Sequence, residues 1–169
     1  MDVSETQRRD MEEVLGNLIR GLSKLPAYDG VTFRGATPED TFGTTSGTVV
    51  AQGLTATSRD ARVATENFTA AAVYAVVGTH GRMVESVSQH PAEREVVFLP
   101  GALFRTLAQV RFQDLPIIVV EELDLERDLD APDGDLEELL ATIAALVKRD
   151  LERLPVEVST PGKFVGDIA

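Results

Sequence analysis

Cysteine and tryptophan are absent from this sequence of 169 residues, and histidine occurs only at His80 and His90. The lack of thiols excludes a disulfide framework and a thiolate-bound metal, and two histidines provide no zinc-ligand spacing. No run approaches the roughly 18 consecutive apolar residues of a membrane span, and the first residues lack a signal-peptide pattern. The composition therefore predicts a metal-free cytoplasmic protein, with both histidines in loops.

Basic residues are scarce, since 16 Lys and Arg face 28 Asp and Glu for a net charge of −12. An acidic chain of this kind is not expected to bind nucleic acid non-specifically. Residues 121–138 hold ten acidic side chains and one basic side chain, Arg127. Within them, residues 128–134 fail as a calcium loop because Pro132 stands where an oxygen ligand is needed. We interpret the acidic segment as a solvated linker.

The length and the apolar content of 43% suit one globular domain. Apolar residues at helical spacing predict two long helices, over residues 4–24 and 135–154, and a short helix is expected over 62–68. Between the long helices, β-type runs are separated by Gly, Pro, Thr and Ser. These runs predict strands over residues 31–34, 48–51, 71–77, 95–99, 103–112 and 116–123. The fold class is α+β, and residues 156–169 are poorly specified.

Glu93-Arg94-Glu95 is the only Glu-x-Glu in the chain, and it runs directly into an apolar stretch. Alternation along a strand predicts both carboxylates on one face. Such a pair can stabilise an oxocarbenium-like sugar cation with one group and assist the nucleophile with the other. Solvated charges on an edge strand are the alternative interpretation, so the pair needs support from other motifs.

Two motifs precede the glutamates, each at a strand end or in the loop after it. Arg34 lies beside Gly35, and this combination suits bidentate pairing to a pyrophosphate that approaches the backbone closely. Thr57 and Ser58 belong to a hydroxyl cluster that can bond a sugar, fix a neighbouring carboxylate or cap the short helix. The order of arginine, hydroxyl cluster and paired glutamates is more specific than any one motif.

Over about residues 22–123 the chain resembles the arginine-serine-glutamate class of mono-ADP-ribosyltransferases, of the clostridial and bacterial effector type. Its LPAYDGVTFRG, GLTATSRD and EREVVFLPGALFR segments are similar to the first-arginine, Ser-Thr-Ser and Glu-x-Glu strands of that class. The resemblance implies two packed, small, mostly antiparallel sheets and an N-terminal helix, with a catalytic domain over residues 1–125. Residues 126–169 would form the acidic linker, an extra helix outside the usual core and a tail, packed on or beside that domain.

The resemblance also implies roles for individual residues. Arg34, next to Gly35, would hold the phosphates of NAD, the co-substrate, and Glu95 would bind the nicotinamide ribose and stabilise its cation. Glu93, nearer the loop and less deep than Glu95, would position and deprotonate an arginine of a protein target. Further NAD contacts are implied for Thr57, Ser58 and Phe68. Phe68 is equally compatible with a place in the core. Arg34, Ser58 and Glu95 are expected to converge on one cleft.

The resemblance has one departure, because Ala56 stands at the first position of the Ser-Thr-Ser motif. The missing hydroxyl is the one expected to hold the catalytic glutamate, so Thr55, water or another group must replace it. Three functions remain open: a protein-arginine ADP-ribosyltransferase of toxin or effector type, an NAD glycohydrolase, or a non-catalytic module that binds NAD or a partner. Delivery into a target cell and an immunity or regulatory partner are also left open.

Overall fold

A computed structural model describes residues 3–39, 47–126 and 134–168 of the chain. Within them the helices are α1 (Val3–Leu22), α2 (Ala61–Ala64) and α3 (Leu136–Leu151). The strands are β1 (Ala27–Ala36), β2 (Thr48–Val50), β3 (Thr55–Ser58), β4 (Ala72–Met83), β5 (Glu95–Phe98), β6 (Leu103–Phe112) and β7 (Leu115–Leu123). Most of the acidic linker, with the calcium-like residues 128–133, lies outside the described residues.

The strands form one hydrogen-bonded sheet in the order β1-β3-β5-β4-β7-β6-β2, and β1 also pairs with β4. Strands β1, β3, β5 and β4 therefore close into a ring, and β4, β7, β6 and β2 continue from it. The two predicted sheets are present as these two units, which share β4. All pairings are antiparallel except β4 with β7. The predicted α+β class is confirmed.

Strand β4 extends well beyond the predicted residues 71–77, because two glycines that indicated a break serve close packing. A Cβ on Gly78 would lie 2.7 Å from the Phe98 ring, and one on Gly81 would lie 2.6 Å from Val96. Bare glycine backbone therefore lets β5 pack over β4 where the ring closes. His80 consequently lies on a strand, and its predicted loop position is wrong.

The short helix is also different from the prediction. It covers Ala61–Ala64 and ends in a left-handed turn in which Glu66, Asn67 and Phe68 have φ values of 50°, 62° and 62°. A run of positive φ cannot continue an α-helix, so the predicted extension to residue 68 is wrong.

Two apolar clusters lie on opposite faces of β4, as its alternating side chains require. Val73 and Ala75 face the first cluster, whereas Tyr74 and Val76 face the second. Among the members from outside the sheet are Ile143 and Val147 of α3 and Phe164 in the first cluster, and Ile168 in the second. The helix expected outside the usual core thus packs on the sheet, and the poorly specified tail reaches both clusters.

None of the helices in the described ranges has the length and apolar character to cross a membrane. Across those same ranges, no three His, Cys, Asp or Glu side chains are grouped as a metal site.

Candidate active site

Arg34 lies on β1 opposite Tyr74 of β4. Its guanidinium donates from Nη1 to the carbonyl oxygens of Ala56 at 2.8 Å and Lys163 at 3.3 Å. Its Nε donates to the carbonyl oxygens of Gly166 at 2.9 Å and Asp167 at 3.2 Å. This partly buried guanidinium therefore donates to four carbonyl oxygens, three of them from the C-terminal tail.

Gly35 gives the backbone its room beside Arg34. A Cβ at this position would lie 2.8 Å from the carbonyl oxygen of Ala64 and 3.0 Å from Val165. Gly35 also forms an isolated parallel bridge with Val165. Gly35 was expected to let a ligand approach the backbone. In the structure, its missing side chain lets the end of α2 and the tail pack closely against β1.

The hydroxyls of β3 hold the segment that carries the glutamates. Thr57 donates to the carbonyl oxygen of Val96 at 2.7 Å, and Ser58 donates to that of Glu93 at 2.6 Å. Ser58 is also in register with Glu95. Helix α2 is capped by Asp60, whose carboxylate accepts from the amide of Arg62. The two hydroxyls thus bond the backbone carbonyls of Val96 and Glu93 rather than a carboxylate, and the capping role belongs to Asp60.

The two glutamates do not share a strand. Glu93 ends a one-turn 3-10 helix (Pro91–Glu93), Arg94 is left-handed with φ 49°, and Glu95 begins β5. The expected alternation along one strand is therefore wrong, yet both carboxylates meet at one ammonium. Lys163 Nζ donates to Glu93 Oε2 at 3.0 Å and to Glu95 Oε2 at 2.6 Å. Glu93 is 5% exposed and Glu95 8%, so Glu95 is not the deeper of the two.

Lys163 is a site residue that sequence reasoning missed. Burial, the largest single influence, lowers its pKa, but the hydrogen bonds and charges of Glu95 and Glu93 together raise the pKa above the ordinary 10.5. The side chain is thus a cation at neutral pH, and on the alkaline side its ion pair is lost as the pH rises through that raised pKa. Thr160 adds a hydrogen bond to Glu93. The one available signal was that Lys163 is the only basic residue after Arg153.

The hydroxyl missing at Ala56 is not replaced by Thr55. The Thr55 hydroxyl faces the carbonyl oxygen of Ile168 at 3.4 Å. Glu95 instead receives its hydrogen bond from Lys163. Lys163 of the tail thus donates to the Glu95 carboxylate, which the absent serine was expected to hold.

Phe68 lies in different surroundings from the glutamates. It packs against the first apolar cluster, and the Arg62 guanidinium carbon lies 5.3 Å from its ring centroid. Its expected stacking on nicotinamide stays a prediction.

The structure therefore brings Arg34, Ser58, Glu93 and Glu95 to one place. Arg34 contacts the carbonyl oxygen of Lys163, while the two glutamates contact the ammonium of the same residue. Ser58 lies between them, paired with Phe33 on one side and with Glu95 on the other. The Arg34 guanidinium can therefore bind an anionic group of a ligand, and the carboxylates of Glu93 and Glu95 can bind or stabilise a positively charged centre.

The fold, in which two small strand units share β4, is that of solved ADP-ribosyltransferase structures. The solved structure of the ADP-ribosyltransferase Vis from Vibrio splendidus has a TM-score of 0.60 and 23% identity, over 75% of this chain and 64% of Vis. The chain has the ADP-ribosyltransferase fold, and the fold that the resemblance implied is confirmed.

Two curated proteins are similar in sequence. Mav of Mycobacterium avium (strain 104), named as an NAD(+)–arginine ADP-ribosyltransferase, is 34% identical over 113 residues, 64% of this chain and 13% of Mav. The NAD(+)–protein-arginine ADP-ribosyltransferase Tre1 of Serratia proteamaculans (strain 568) is 31% identical over 107 residues, 60% of this chain and 22% of Tre1. The chain thus spans less than a quarter of either relative. No protein-family model matches the chain.

Proposed function

We propose that this chain is an NAD-dependent mono-ADP-ribosyltransferase that modifies an arginine of a protein target. The observation that carries the proposal is the pair of buried carboxylates, Glu93 and Glu95, gathered on one cation beside Arg34. The names of Mav and Tre1 both specify arginine as the acceptor. Vis has also been crystallised with agmatine, a small guanidine.

In the proposed reaction, Arg34 binds the pyrophosphate of NAD by charge-assisted hydrogen bonds. The bond between the ribose C1′ and the nicotinamide nitrogen breaks, and nicotinamide leaves as a neutral molecule with the bonding electrons. Glu95 stabilises the oxocarbenium-like cation that develops at the ribose. The nicotinamide ring of NAD is positively charged and is therefore already a good leaving group. Bond cleavage then mainly requires that NAD is correctly oriented and that one anion lies near the ribose.

Glu93 acts on the acceptor in this proposal. A guanidinium has a pKa above about 12, so it must lose a proton as its nitrogen attacks C1′. Glu93 orients the guanidinium and accepts that proton. Ser58 and Thr57 position the glutamates through the backbone contacts described above, with Gly35 giving backbone room beside Arg34. The proposed contact of Phe68 with nicotinamide completes the site.

NAD glycohydrolysis, with water as the acceptor, is the second candidate. Residues 86–92, which precede the glutamates and would recognise the target, contain no Phe, Tyr or Trp to anchor an acceptor. A non-catalytic NAD-binding module is the third candidate, since Ala56 removes one hydroxyl of the motif. Vis is called a toxin, which supports action of this chain in the cytoplasm of a target cell, with an immunity or regulatory partner left open.

Two glutamine substitutions test the proposal and the division of labour between the glutamates. Glu95→Gln should lower both nicotinamide release and ADP-ribose transfer by about 1000-fold, because both reactions pass through the same cation. Glu93→Gln should keep nicotinamide release but lose transfer, because water needs less activation than a guanidinium. Nicotinamide release without acceptor and labelling of agmatine from labelled NAD measure the two activities.

Glu138→Gln, an exposed change on α3, is the matched control and should leave both activities unaltered. If Glu93→Gln lowers both activities equally, the division of labour is wrong. If the wild-type chain releases nicotinamide and labels no acceptor, the glycohydrolase candidate replaces the transferase. If neither activity is found and NAD still binds, the chain is a binding module.

A further inference from the structure

The proposed active site is filled by residues 160–168, here called the tail segment. Its Lys163 ammonium lies between the two carboxylates, at 3.0 Å from Glu93 and 2.6 Å from Glu95. Its Thr160 hydroxyl donates to Glu93. Three of its carbonyl oxygens accept from the Arg34 guanidinium. The same short segment thus contacts the residues proposed for the phosphates, the ribose cation and the acceptor.

These contacts match the charge pattern of the proposed substrates. The Lys163 ammonium stands in for the positive ribose carbon at Glu95 and for the guanidinium at Glu93. The tail carbonyl oxygens stand in for phosphate oxygens on Arg34, although they are dipoles and phosphates carry full charges. A ligand cannot place its own atoms on these groups while the tail segment is present, because two atoms cannot occupy the same volume.

We propose that the tail segment is an autoinhibitory pseudosubstrate, and that NAD and the acceptor enter the site only when the segment is displaced. The inference rests on the proposed function and adds regulation of the same site.

The tail segment is held as a folded element. Phe164 and Ile168 are 3% and 1% exposed and belong to the two opposite apolar clusters. Gly35 donates to the carbonyl oxygen of Phe164 at 2.8 Å and accepts from Gly166 at 2.9 Å. Glu66 accepts a hydrogen bond from the amide of Gly162. Apolar anchors therefore place Lys163 at the carboxylates as part of the fold.

The segment is also displaceable in principle. Arg34 bonds an anionic phosphate more strongly than it bonds a carbonyl oxygen, so the pyrophosphate of NAD competes well with the three tail carbonyls. Lys163 keeps 30% of its side chain exposed, so its ion pair is reached by water. Against this, a tethered segment competes at an effective concentration on the order of millimolar. At equal intrinsic affinity for the site, free NAD below that concentration meets a closed site.

The direct test uses the full chain with a specific protease site inserted after Ser159, an exposed residue immediately before the tail segment. The chain folds with the tail segment attached, and cleavage then lets the tail segment dissociate. Gel filtration and mass spectrometry verify that the segment has left. We expect nicotinamide release from NAD to rise by about tenfold or more after cleavage. A synthetic peptide of residues 160–169 should reverse the increase, and a Lys163→Gln peptide should do so less well.

A second variant keeps the test decisive if the cleaved segment stays bound. Lys163→Gln in the uncut chain removes the cation while Phe164 and Ile168 keep their anchors. It should raise nicotinamide release, whereas Lys148→Gln should not, because Lys148 is an exposed lysine of α3 that pairs only loosely with Glu152. Equal release by these two variants would overturn the proposal.

Failure of the inference and failure of the proposed function give different results. If the segment has left and nicotinamide release equals that of the uncut chain, autoinhibition is wrong and the transferase stands. If the cut chain neither binds NAD by calorimetry nor releases nicotinamide, while circular dichroism shows that it remains folded, the proposed function itself is wrong.

Discussion

The two terminal parts of the described chain differ in how they meet the sheet. On α1, Met11 and Val14 are 71% and 68% exposed, although they lie on the apolar face of the helix. On α3, Ile143 and Val147 are buried in the first apolar cluster. Both helices have apolar residues at helical spacing, so the spacing alone does not determine which helix is bound to the core.

Polar contacts explain the difference. Asp150 of α3 is fully buried and accepts hydrogen bonds from the Ala61 amide at 2.8 Å, from Arg149 at 2.8 Å and from Arg153 at 3.2 Å. Arg62 donates to the carbonyl oxygen of Asp150 at 2.6 Å. These contacts fasten α3 to α2, which directly follows the hydroxyl strand of the site. The C-terminal part is therefore connected to the candidate active site, and α1 has no comparable set of contacts within the described residues.

Asp150→Ala is expected to have the largest effect on stability. It leaves the Ala61 amide unpaired and removes the carboxylate that Arg149 and Arg153 share, which should lower the free energy of unfolding by about 3 kcal/mol. Urea denaturation followed by circular dichroism measures it. Glu152→Ala, an exposed change two residues away, should alter it by less than about 0.5 kcal/mol. If both variants have similar free energies of unfolding, the Asp150 contacts do not explain why α3 is bound to the core and α1 is not.

Asn67 tests the connection between α3 and the tail at a smaller scale. Its side chain donates to the carbonyl oxygen of Val156 at 2.9 Å and accepts from the Val156 amide at 2.8 Å. Asn67→Gly removes both bonds but tolerates φ 62°. We expect a loss of about 1 to 2 kcal/mol in the free energy of unfolding.

Asn67→Ala should lose more stability than Asn67→Gly, because alanine is strained in the left-handed region by about 1 kcal/mol. If Asn67→Gly also raises nicotinamide release, the loop and the tail segment are coupled. If Asn67→Gly is as stable as wild type, the loop does not hold the tail.

Much of the fold could be predicted from local patterns. Periodicity located α1, α3 and most strands to within a few residues, because each buries one face in a regular way. Gly78 and Gly81 were misleading, since glycine marks a turn as readily as a close packing of strands. The αL run after α2 was not predictable either, because it is fixed by long-range bonds such as those between Asn67 and Val156.

The candidate site could be predicted where its residues form a sequence motif, and could not be predicted where tertiary structure adds residues to it. Arg34, Ser58 and the two glutamates stand in recognisable order along the chain. Lys163 lies in a stretch with Pro161, Gly162 and Gly166, which has no helical or strand period. Its position depends on the partners of Phe164 and Ile168, and the sequence of the tail alone does not identify them.

The smallest expected effect concerns the same substitution in the two helices. Val14→Ala removes exposed methyl groups and replaces a β-branched residue by the best helix former, so the free energy of unfolding should change by less than about 0.5 kcal/mol. Val147→Ala, its matched control in α3, empties part of the core and should lower it by about 2 kcal/mol. Equilibrium urea unfolding of both variants measures the difference. A loss above about 1 kcal/mol for Val14→Ala would mean that the apolar face of α1 is covered in solution. Dependence of that loss on protein concentration would then identify a second copy as the cover.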